Sequence, residues 1–447
     1  MNAGLAIRPG RRVPASGAAL PPPASGPLGR YQVLLMAAVL AAMFTNLPIY
    51  LYVLDASLLP KFMYFGIALL IFPLLLVHYR DLGNYLASPF ALWAILLLAL
   101  NLIHLAGHSG LLELGGVQLI DTQGEARRSM ISTRAQYIVF ALLLGFVAYT
   151  CTSRSYLWAL VPVAILLPCA VMLDFVSPGL LYPLETSGAV FGRAGAMFIN
   201  PNLAGEAILL SFLLACAVTG AAWRVSLLLL AGAGALATFS RATILAWMLV
   251  LLILVSKKTL PKSAMIATAV ALAIVLVYLG SFETYLHSRQ EFDGASSNIL
   301  ARLNFFSSYS FDDDSSEERA GVILAGWELF LQNPIFGAGA GATFFWSHRG
   351  STHNQLLLLA TEYGLLGIFL WAWLLQMLLK GLFFEDKGLQ YAMAFLFAFM
   401  SLFTHQMFDS SSYWLASFAI VSSRQGASGG RRHAKPIYRY TRQEMLT

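Results

Sequence analysis

The sequence predicts an all-α polytopic membrane protein with about twelve transmembrane helices, and composition and run length are the observations behind this. Hydrophobic residues make up 58% of the 447 residues and charged residues only 11%, and the mean hydropathy is +0.70. A soluble domain carries about 25% charged residues, so this chain lacks the polar surface that would cover a globule in water. Its apolar runs are long enough for spans of about 20 helical residues, and with so many spans only a helical bundle satisfies the backbone.

Apolar runs mark the predicted spans along the chain. They lie near residues 32–53, 61–78, 86–107, 134–151, 155–176, 203–221, 225–239, 242–256, 264–280, 354–379, 388–405 and 411–423. This predicts five parts: a basic, disordered cytoplasmic tail at 1–30, spans one to nine in 31–280, a long periplasmic loop containing helices at 281–353, spans ten to twelve in 354–423, and a basic cytoplasmic tail at 424–447. No cleavable signal peptide is evident, and the first apolar helix is expected to act as a signal anchor.

The positions of Lys and Arg predict the orientation, because cytoplasmic loops carry an excess of positive charge. Basic residues collect on one side at Arg80, Arg154, Arg224, Lys257, Lys258, Lys262, Lys380, Lys387 and both termini. That side is assigned to the cytoplasm, and the opposite side to the periplasm of a bacterial inner membrane. The net charge of +6 does not indicate nucleic-acid binding, because the basic residues sit mostly in short loops and tails.

The long periplasmic segment contains a predicted helix that leads toward a histidine. Its apolar positions are Val322, Leu324, Trp327, Leu329 and Phe330. The helix should end at Asn333-Pro334, because the residue before a proline disfavours helical backbone angles. Gly337, Gly339 and Gly341 then provide a flexible turn.

His353 and Asn354 lie where this polar segment re-enters an apolar helix, at the expected boundary between membrane and water. A histidine at that depth can meet both a lipid-borne substrate and its headgroup, and its unperturbed pKa lies near physiological pH. The alternative is helix capping by Ser351, Thr352 or Asn354. Capping does not require a histidine, so both interpretations stay open.

Many arginines lie on the periplasmic side, where positive charge is not expected. They are Arg127, Arg128, Arg134, Arg193, Arg241, Arg289, Arg302, Arg319 and Arg349. A single arginine can snorkel to lipid phosphates or form a local pair, but so many on one face indicate that a polyanion is handled there. The planar guanidinium suits pyrophosphate, since it donates bidentate hydrogen bonds to phosphate oxygens and stays charged.

No metal and no other cofactor is predicted. No tight acidic pair lies in a span or beside His353, and one or two arginine forks could stabilise a diphosphate leaving group instead. The run Asp312 to Asp314 could hold a divalent cation, although a solvated acidic run is commoner. Cys151, Cys169 and Cys216 fall in or beside apolar segments, which argues against a disulfide framework or a zinc site.

Four motifs in order on one membrane face resemble the O-antigen ligase and polymerase superfamily. They are Arg193 with Asn200-Pro201-Asn202, the Ser240-Arg241 corner, Arg319 with Trp327 and Pro334-Ile335-Phe336-Gly337-Ala338-Gly339, and His353-Asn354 with Leu357, Glu362, Gly364 and Gly367. The resemblance covers roughly residues 190–370, and the first five spans match only in hydropathy. It implies a GT-C type glycosyltransferase that takes a glycan from an undecaprenyl-diphosphate carrier at the periplasmic face.

The resemblance implies a ligase first, with lipid A–core oligosaccharide as acceptor and membrane lipids as further partners. Polymerases, which extend another carrier-linked repeat, often contain Arg-x10-Gly repeats. Neither Arg193 nor Arg319 fits this spacing, because Ala204 and Phe330 occupy the positions where the glycine would stand. Related oligosaccharyltransferases usually have an extra C-terminal region. A transporter for lipid-linked glycans is the alternative from another class, and it would more often carry charges deep inside its spans.

The resemblance also implies roles for individual residues. Arg241, Arg319 and His353 are the expected catalytic residues around the diphosphate, with direct displacement and inversion at the anomeric carbon. His353 would act as general base or, alternatively, bind the diphosphate as an imidazolium. Residues expected to bind substrate are Arg193, Arg302, Asn202 and Asn354, with Arg302 a competitor of Arg319 for its role.

Overall fold

The computed structural model describes residues 26–106, 124–277 and 314–422, except residues 152, 188, 190, 191, 349, 382 and 410. All regular secondary structure in these ranges is helical, which confirms the predicted all-α class. Both predicted tails beyond these bounds, the predicted loop before residue 314 and Arg302 lie outside the described residues.

The helices follow the order of the predicted spans. They are α1 (Gly26–Phe44), α2 (Leu47–Leu54), α3 (Pro60–Val77), α4 (Tyr79–Leu86), α5 (Pro89–Ala106), α6 (Gly124–Thr150), α7 (Leu160–Val176, preceded by a 3-10 turn at Ser155–Ala159), α8 (Pro201–Cys216), α9 (Ala221–Ala237), α10 (Arg241–Ser256), α11 (Ser263–Val277), α12 (Asp314–Gln332), α13 (Gln355–Tyr363), α14 (Leu365–Lys380), α15 (Lys387–Met400) and α16 (Ser412–Ser422). A short 3-10 turn also lies at Ala196–Phe198.

Five of the described helices are long and apolar enough to cross a membrane. They are Gly26–Phe44, Pro60–Val77, Pro89–Ala106, Gly124–Thr150 and Ser155–Val176, and six further apolar helices in the same ranges are shorter. A polytopic membrane protein is therefore supported, while the number of twelve spans stays a prediction.

Two of the predicted spans are each divided into two helices. The run 32–53 is divided at Asn46, which has φ 54° and precedes the proline in the first turn of α2. The run 354–379 is divided at Gly364, which has φ 62° and lies so close to residue 335 that an added Cβ would be 2.4 Å from the Ile335 carbonyl oxygen. Each break interrupts the apolar run by only a few polar residues, so the length of the run alone does not reveal it.

The core is a continuous apolar bundle that includes residues of α1, α6, α8 and α16. Helix α8 is buried over nearly its whole length, and it packs closely on the first turn of α10. A Cβ at Gly205 would be only 2.3 Å from the Thr243 hydroxyl oxygen, so this contact requires glycine. The close approach brings the beginning of α8 beside the beginning of α10.

Helix α12 ends at Gln332, as the Asn333-Pro334 stop predicts. Gly337, Gly339 and Gly341 all have positive φ, which confirms the predicted turn after it. Helix α12 packs on the segment before α13, since a Cβ at Gly326 would meet the Thr352 side chain at 2.7 Å. The turn and this contact together place residues 351–354 at the N-terminus of α13.

Candidate functional site

The first part of the site is the arginine corner, which we define as Arg193, Asn202, Thr238 and Arg241. The buried Arg193 side chain donates from Nε to the Thr238 carbonyl oxygen at 3.0 Å. Its Nη2 donates to Asn202 Oδ1 at 2.8 Å. The structure therefore joins the segment that carries the predicted substrate-binding residues Arg193 and Asn202 to the turn before α10, 45 residues farther along the chain.

Local sequence signals build this corner. Asn200 caps α8, its Oδ1 accepting from the Asn202 backbone N–H at 2.9 Å, and Pro201 fills the first turn. Both residues are common at the start of a helix. Ser240 is the N-cap residue of α10, and its hydroxyl lies 3.0 Å from that of Thr243. Arg241 is thus the first residue of a helix, where the free backbone N–H groups and the helix dipole favour an anion.

The second part is the histidine segment, which we define as residues 350–355. His353 is half-buried and has φ 48°, a left-handed conformation that is uncommon for a residue with a side chain. Asn354 caps α13, its Oδ1 accepting from the Leu357 backbone N–H at 2.9 Å. The capping alternative is therefore present beside the histidine, and a substrate-binding role of Asn354 stays a prediction.

Gln355 joins this segment to the loop between α15 and α16. Its backbone N–H donates to the Ser401 carbonyl oxygen at 2.7 Å, and its Oε1 accepts from the Met407 backbone N–H at 2.9 Å. These bonds bring His405 against His353, with ring centroids 4.8 Å apart and planes at 78°. The loop therefore supplies a second histidine to the site.

Burial controls the charge of His405. Desolvation disfavours the protonated ring, and the neighbouring His353 disfavours it further, so the pKa of His405 is lowered to about 3. The low pKa favours the neutral ring of His405 at physiological pH. Sequence reasoning missed His405, because it stands at the end of the predicted span 388–405 without a motif around it, and only the end of α15 at Met400 places it in a loop.

A buried ion network fixes the turn before the histidine segment. Arg134 on α6 pairs with both Glu362 and Asp409 and also donates to the Tyr363 hydroxyl at 3.0 Å. Glu362 Oε1 in turn accepts from the Gly341 backbone N–H at 2.7 Å. The carboxylate that neutralises Arg134 thus also holds the glycine turn in place.

This network corrects one prediction about the periplasmic arginines. The sequence places Arg134 and Arg127 among the arginines expected to handle a polyanion, but both are buried. Arg134 is neutralised by two carboxylates, and Arg127 donates from Nε to the Ala340 carbonyl oxygen at 2.7 Å. Hydropathy and charge position could not reveal this, because the partners lie more than 200 residues away along the chain.

Glu206 joins α8 to the first turn of α16. It lies on α8 one helical turn after Asn202, and its Oε2 accepts from the Tyr413 hydroxyl at 3.0 Å and from Trp414 Nε1 at 2.6 Å. Glu206 is therefore a fully buried acidic residue inside the predicted span 203–221.

Arg319 lies apart from these contacts. It is exposed on α12, seven residues before the contact of Gly326 with Thr352. At 1.5 Å of rise per residue, this separation is about 10 Å along the helix axis. The structure thus leaves Arg319 on an exposed surface, and its catalytic role stays a prediction.

Metal-ligating side chains do not cluster in the part of the chain that the structure describes, where no group of three or more His, Cys, Asp or Glu residues could hold an ion. Asp312 and Asp313 lie outside that part. The prediction of a metal-independent site therefore remains untested.

Fold and site together define a polytopic α-helical membrane protein with buried polar residues gathered at the starts of α8, α10 and α13. Residues 226–372 match the family model described as O-antigen ligase. The match confirms the resemblance found in the sequence, and it includes Arg241, Arg319 and His353. This family is one of membrane glycosyltransferase-like proteins. No curated protein in the comparison matches the chain.

Proposed function

We propose that this protein transfers O-antigen polysaccharide from undecaprenyl diphosphate to lipid A–core oligosaccharide at the periplasmic face of the inner membrane, as a step in lipopolysaccharide biosynthesis. The observation that carries the proposal is that the segment similar to O-antigen ligases contains both Arg241 and His353. These residues stand at or just before the first turn of a helix, so each lies where a polar headgroup meets an apolar bundle.

The arginine corner is the proposed diphosphate site. Arg241 contributes a guanidinium at the N-terminus of α10, where the helix dipole adds to its attraction for an anion. The guanidinium of Arg193 is held by the Thr238 carbonyl oxygen and by Asn202, so its charge is fixed in place before the substrate arrives. Preorganised charge of this kind stabilises developing negative charge without a cost of reorganisation during the reaction.

The proposed reaction is a direct displacement that inverts the anomeric carbon. An acceptor hydroxyl oxygen forms the new glycosidic bond while the bond from the anomeric carbon to the diphosphate oxygen breaks, and undecaprenyl diphosphate leaves with that electron pair. Arg241, with Arg319 as the second candidate, stabilises the negative charge on the leaving oxygen. His353 accepts the proton of the acceptor hydroxyl.

General-base catalysis by a histidine typically contributes about 10²–10⁴-fold. The lowered pKa of His405 fits this role. When His353 takes up the proton, the ring of His405 beside it stays neutral, so two positive charges do not lie next to each other. If His353 instead binds the diphosphate as an imidazolium, the same arrangement serves an electrostatic role.

The test uses the full-length protein in vesicles of phosphatidylethanolamine and phosphatidylglycerol, with a carrier-linked glycan and lipid A–core. Glycan-capped lipid A–core should form with the wild type and not with His353→Ala. His348→Ala is the matched control, because His348 is an exposed histidine of the same turn and should keep activity. Wild-type transfer by His353→Ala would contradict the assignment.

The same assay separates the alternative functions. Replacing lipid A–core with a second carrier-linked glycan should stop transfer, whereas continued chain growth would identify a polymerase. Movement of the carrier-linked glycan across the vesicle membrane without transfer would identify a transporter.

A further inference from the structure

Helix α12 carries an apolar stripe on the side that faces away from the protein. Leu324, Trp327 and Leu331 follow one another at helical spacing, and their exposed fractions lie between 49% and 64%. Residues three and four apart share one face of a helix, so these side chains form one surface. A surface of this kind in water would be unusual, and it needs an apolar partner.

The rest of the helix circumference has a different character. Val322, Ala325 and Leu329 are buried in a small apolar cluster with the glycine turn and Trp346. Glu328 and Gln332 are exposed beside the stripe. The helix therefore presents one side to the protein, one apolar side and one polar side, which is the pattern of a helix lying at a boundary between lipid and water.

The stripe continues into the outer surface of a neighbouring apolar helix. After α12, Ile335 and Phe336 are 59% and 73% exposed. The Leu365 backbone N–H donates to the Pro334 carbonyl oxygen at 2.7 Å. This bond places the start of α14, with its exposed Leu365 and Phe369, beside the end of α12. Helix α14 is one of the shorter apolar helices, and exposed apolar side chains on such a helix face lipid in a membrane protein.

We infer that α12 is an interfacial helix whose Leu324–Trp327–Leu331 stripe lies against the acyl chains of the bilayer. The partner is the bilayer, because the stripe continues into the outer surface of α14, whose exposed apolar side chains face lipid. Trp327 fits this position, since its ring is apolar and its N–H can remain in the wet headgroup layer. Because the opposite side of α12 touches Thr352, contact with lipid holds the neighbouring His353 at the depth of the headgroups.

Spin-label accessibility tests this inference without any activity measurement. The exposed Cys169 is first replaced by Ser, while Cys151 and Cys216 are buried and are retained. Single cysteines then replace Leu331, Gln332 or Phe369 for labelling in vesicles of phosphatidylethanolamine and phosphatidylglycerol, because neighbours in sequence such as 331 and 332 do not share a helix face. All three native side chains are exposed or at the surface of their helices, so the substitutions leave the core intact.

Oxygen partitions into lipid, whereas a nickel chelate stays in water. The ratio of oxygen to nickel accessibility should be severalfold higher at Leu331→Cys than at Gln332→Cys, and it should be similar at Leu331→Cys and Phe369→Cys. Equal ratios at positions 331 and 332 would overturn the inference. Protection of position 331 from both reagents would also overturn it, because a second copy or another segment of the chain would then cover the stripe. A water-like signal at position 369 would remove the continuity and have the same consequence.

Discussion

The arginine corner and the histidine segment differ in how the chain holds their functional side chains. The corner is built at the starts of two helices, with a cap at Asn200 and two hydrogen bonds from Arg193. The histidine segment has a left-handed residue at its centre and depends on Gln355 and Glu362 for anchors to distant loops. The backbone conformation of His353 thus depends on tertiary contacts, whereas the corner combines local helix starts with a tertiary bond from Arg193 to Thr238. Changes to distant anchors should therefore disable His353 while leaving the arginine corner intact.

The largest expected effect is that of Glu362→Ala. Removing one partner of a buried ion pair typically costs about 3–5 kcal/mol, because the other charge stays buried and uncompensated. Arg134 would keep only Asp409, and the Gly341 N–H would lose its acceptor. We expect a lower melting temperature in detergent and loss of glycan transfer. Asp386→Ala is the control, since Asp386 pairs with Arg224 on the side predicted to be cytoplasmic. Equal stability of Glu362→Ala and the wild type would show that the network does not support the histidine segment.

A smaller effect is expected for His405→Ala, which removes the ring packed against His353. A displacement of about 1 Å in a catalytic group can cost about 10²-fold in rate, so kcat should fall by that order with little change in KM for the carrier-linked glycan. His405→Phe keeps an aromatic ring at this position and should restore most of the activity. If His405→Phe is as inactive as His405→Ala, a ring nitrogen and not the packing is what matters.

Arg241→Lys probes the corner itself and should be less damaging than Arg241→Ala. Lysine keeps the charge but loses the planar fork, so one of two parallel bonds to a diphosphate is lost. A hydrogen bond to a charged group contributes about 1.5–3 kcal/mol, and kcat/KM should fall roughly 10–100-fold. The melting temperature should not change. Wild-type activity of Arg241→Lys together with an inactive Arg241→Ala would mean that charge alone is required there.

No effect is expected from a chelator. Arginines are proposed to provide the counter-charge to diphosphate in place of a metal, so excess EDTA should leave transfer by the purified protein unchanged. Loss of activity with EDTA that magnesium or manganese restores would point to the run Asp312 to Asp314 and would reduce the arginines to substrate positioning.

The features that the sequence predicted correctly are those governed by neighbours within a turn or two. Asn333-Pro334 predicted the end of α12, and the Asn200 cap with Pro201 at the start of α8 is a signal of the same local kind. Capping and proline sterics act over a few residues, so the chain displays them directly. The apolar composition likewise predicted a helical membrane bundle, because every backbone group within lipid must be satisfied inside the element.

Only the tertiary structure decided which polar groups meet. The break of the tenth predicted span at Gly364 depends on the close approach of residues 334–335, and the burial of Arg134 depends on Glu362, which lies 228 residues away. The contact of His353 with His405 arises in the same way, through bonds from Gln355 to another loop. Sequence periodicity specifies which side of a helix is apolar. Pairing between distant side chains follows from how the helices pack, and that packing is set by the shape of the whole bundle.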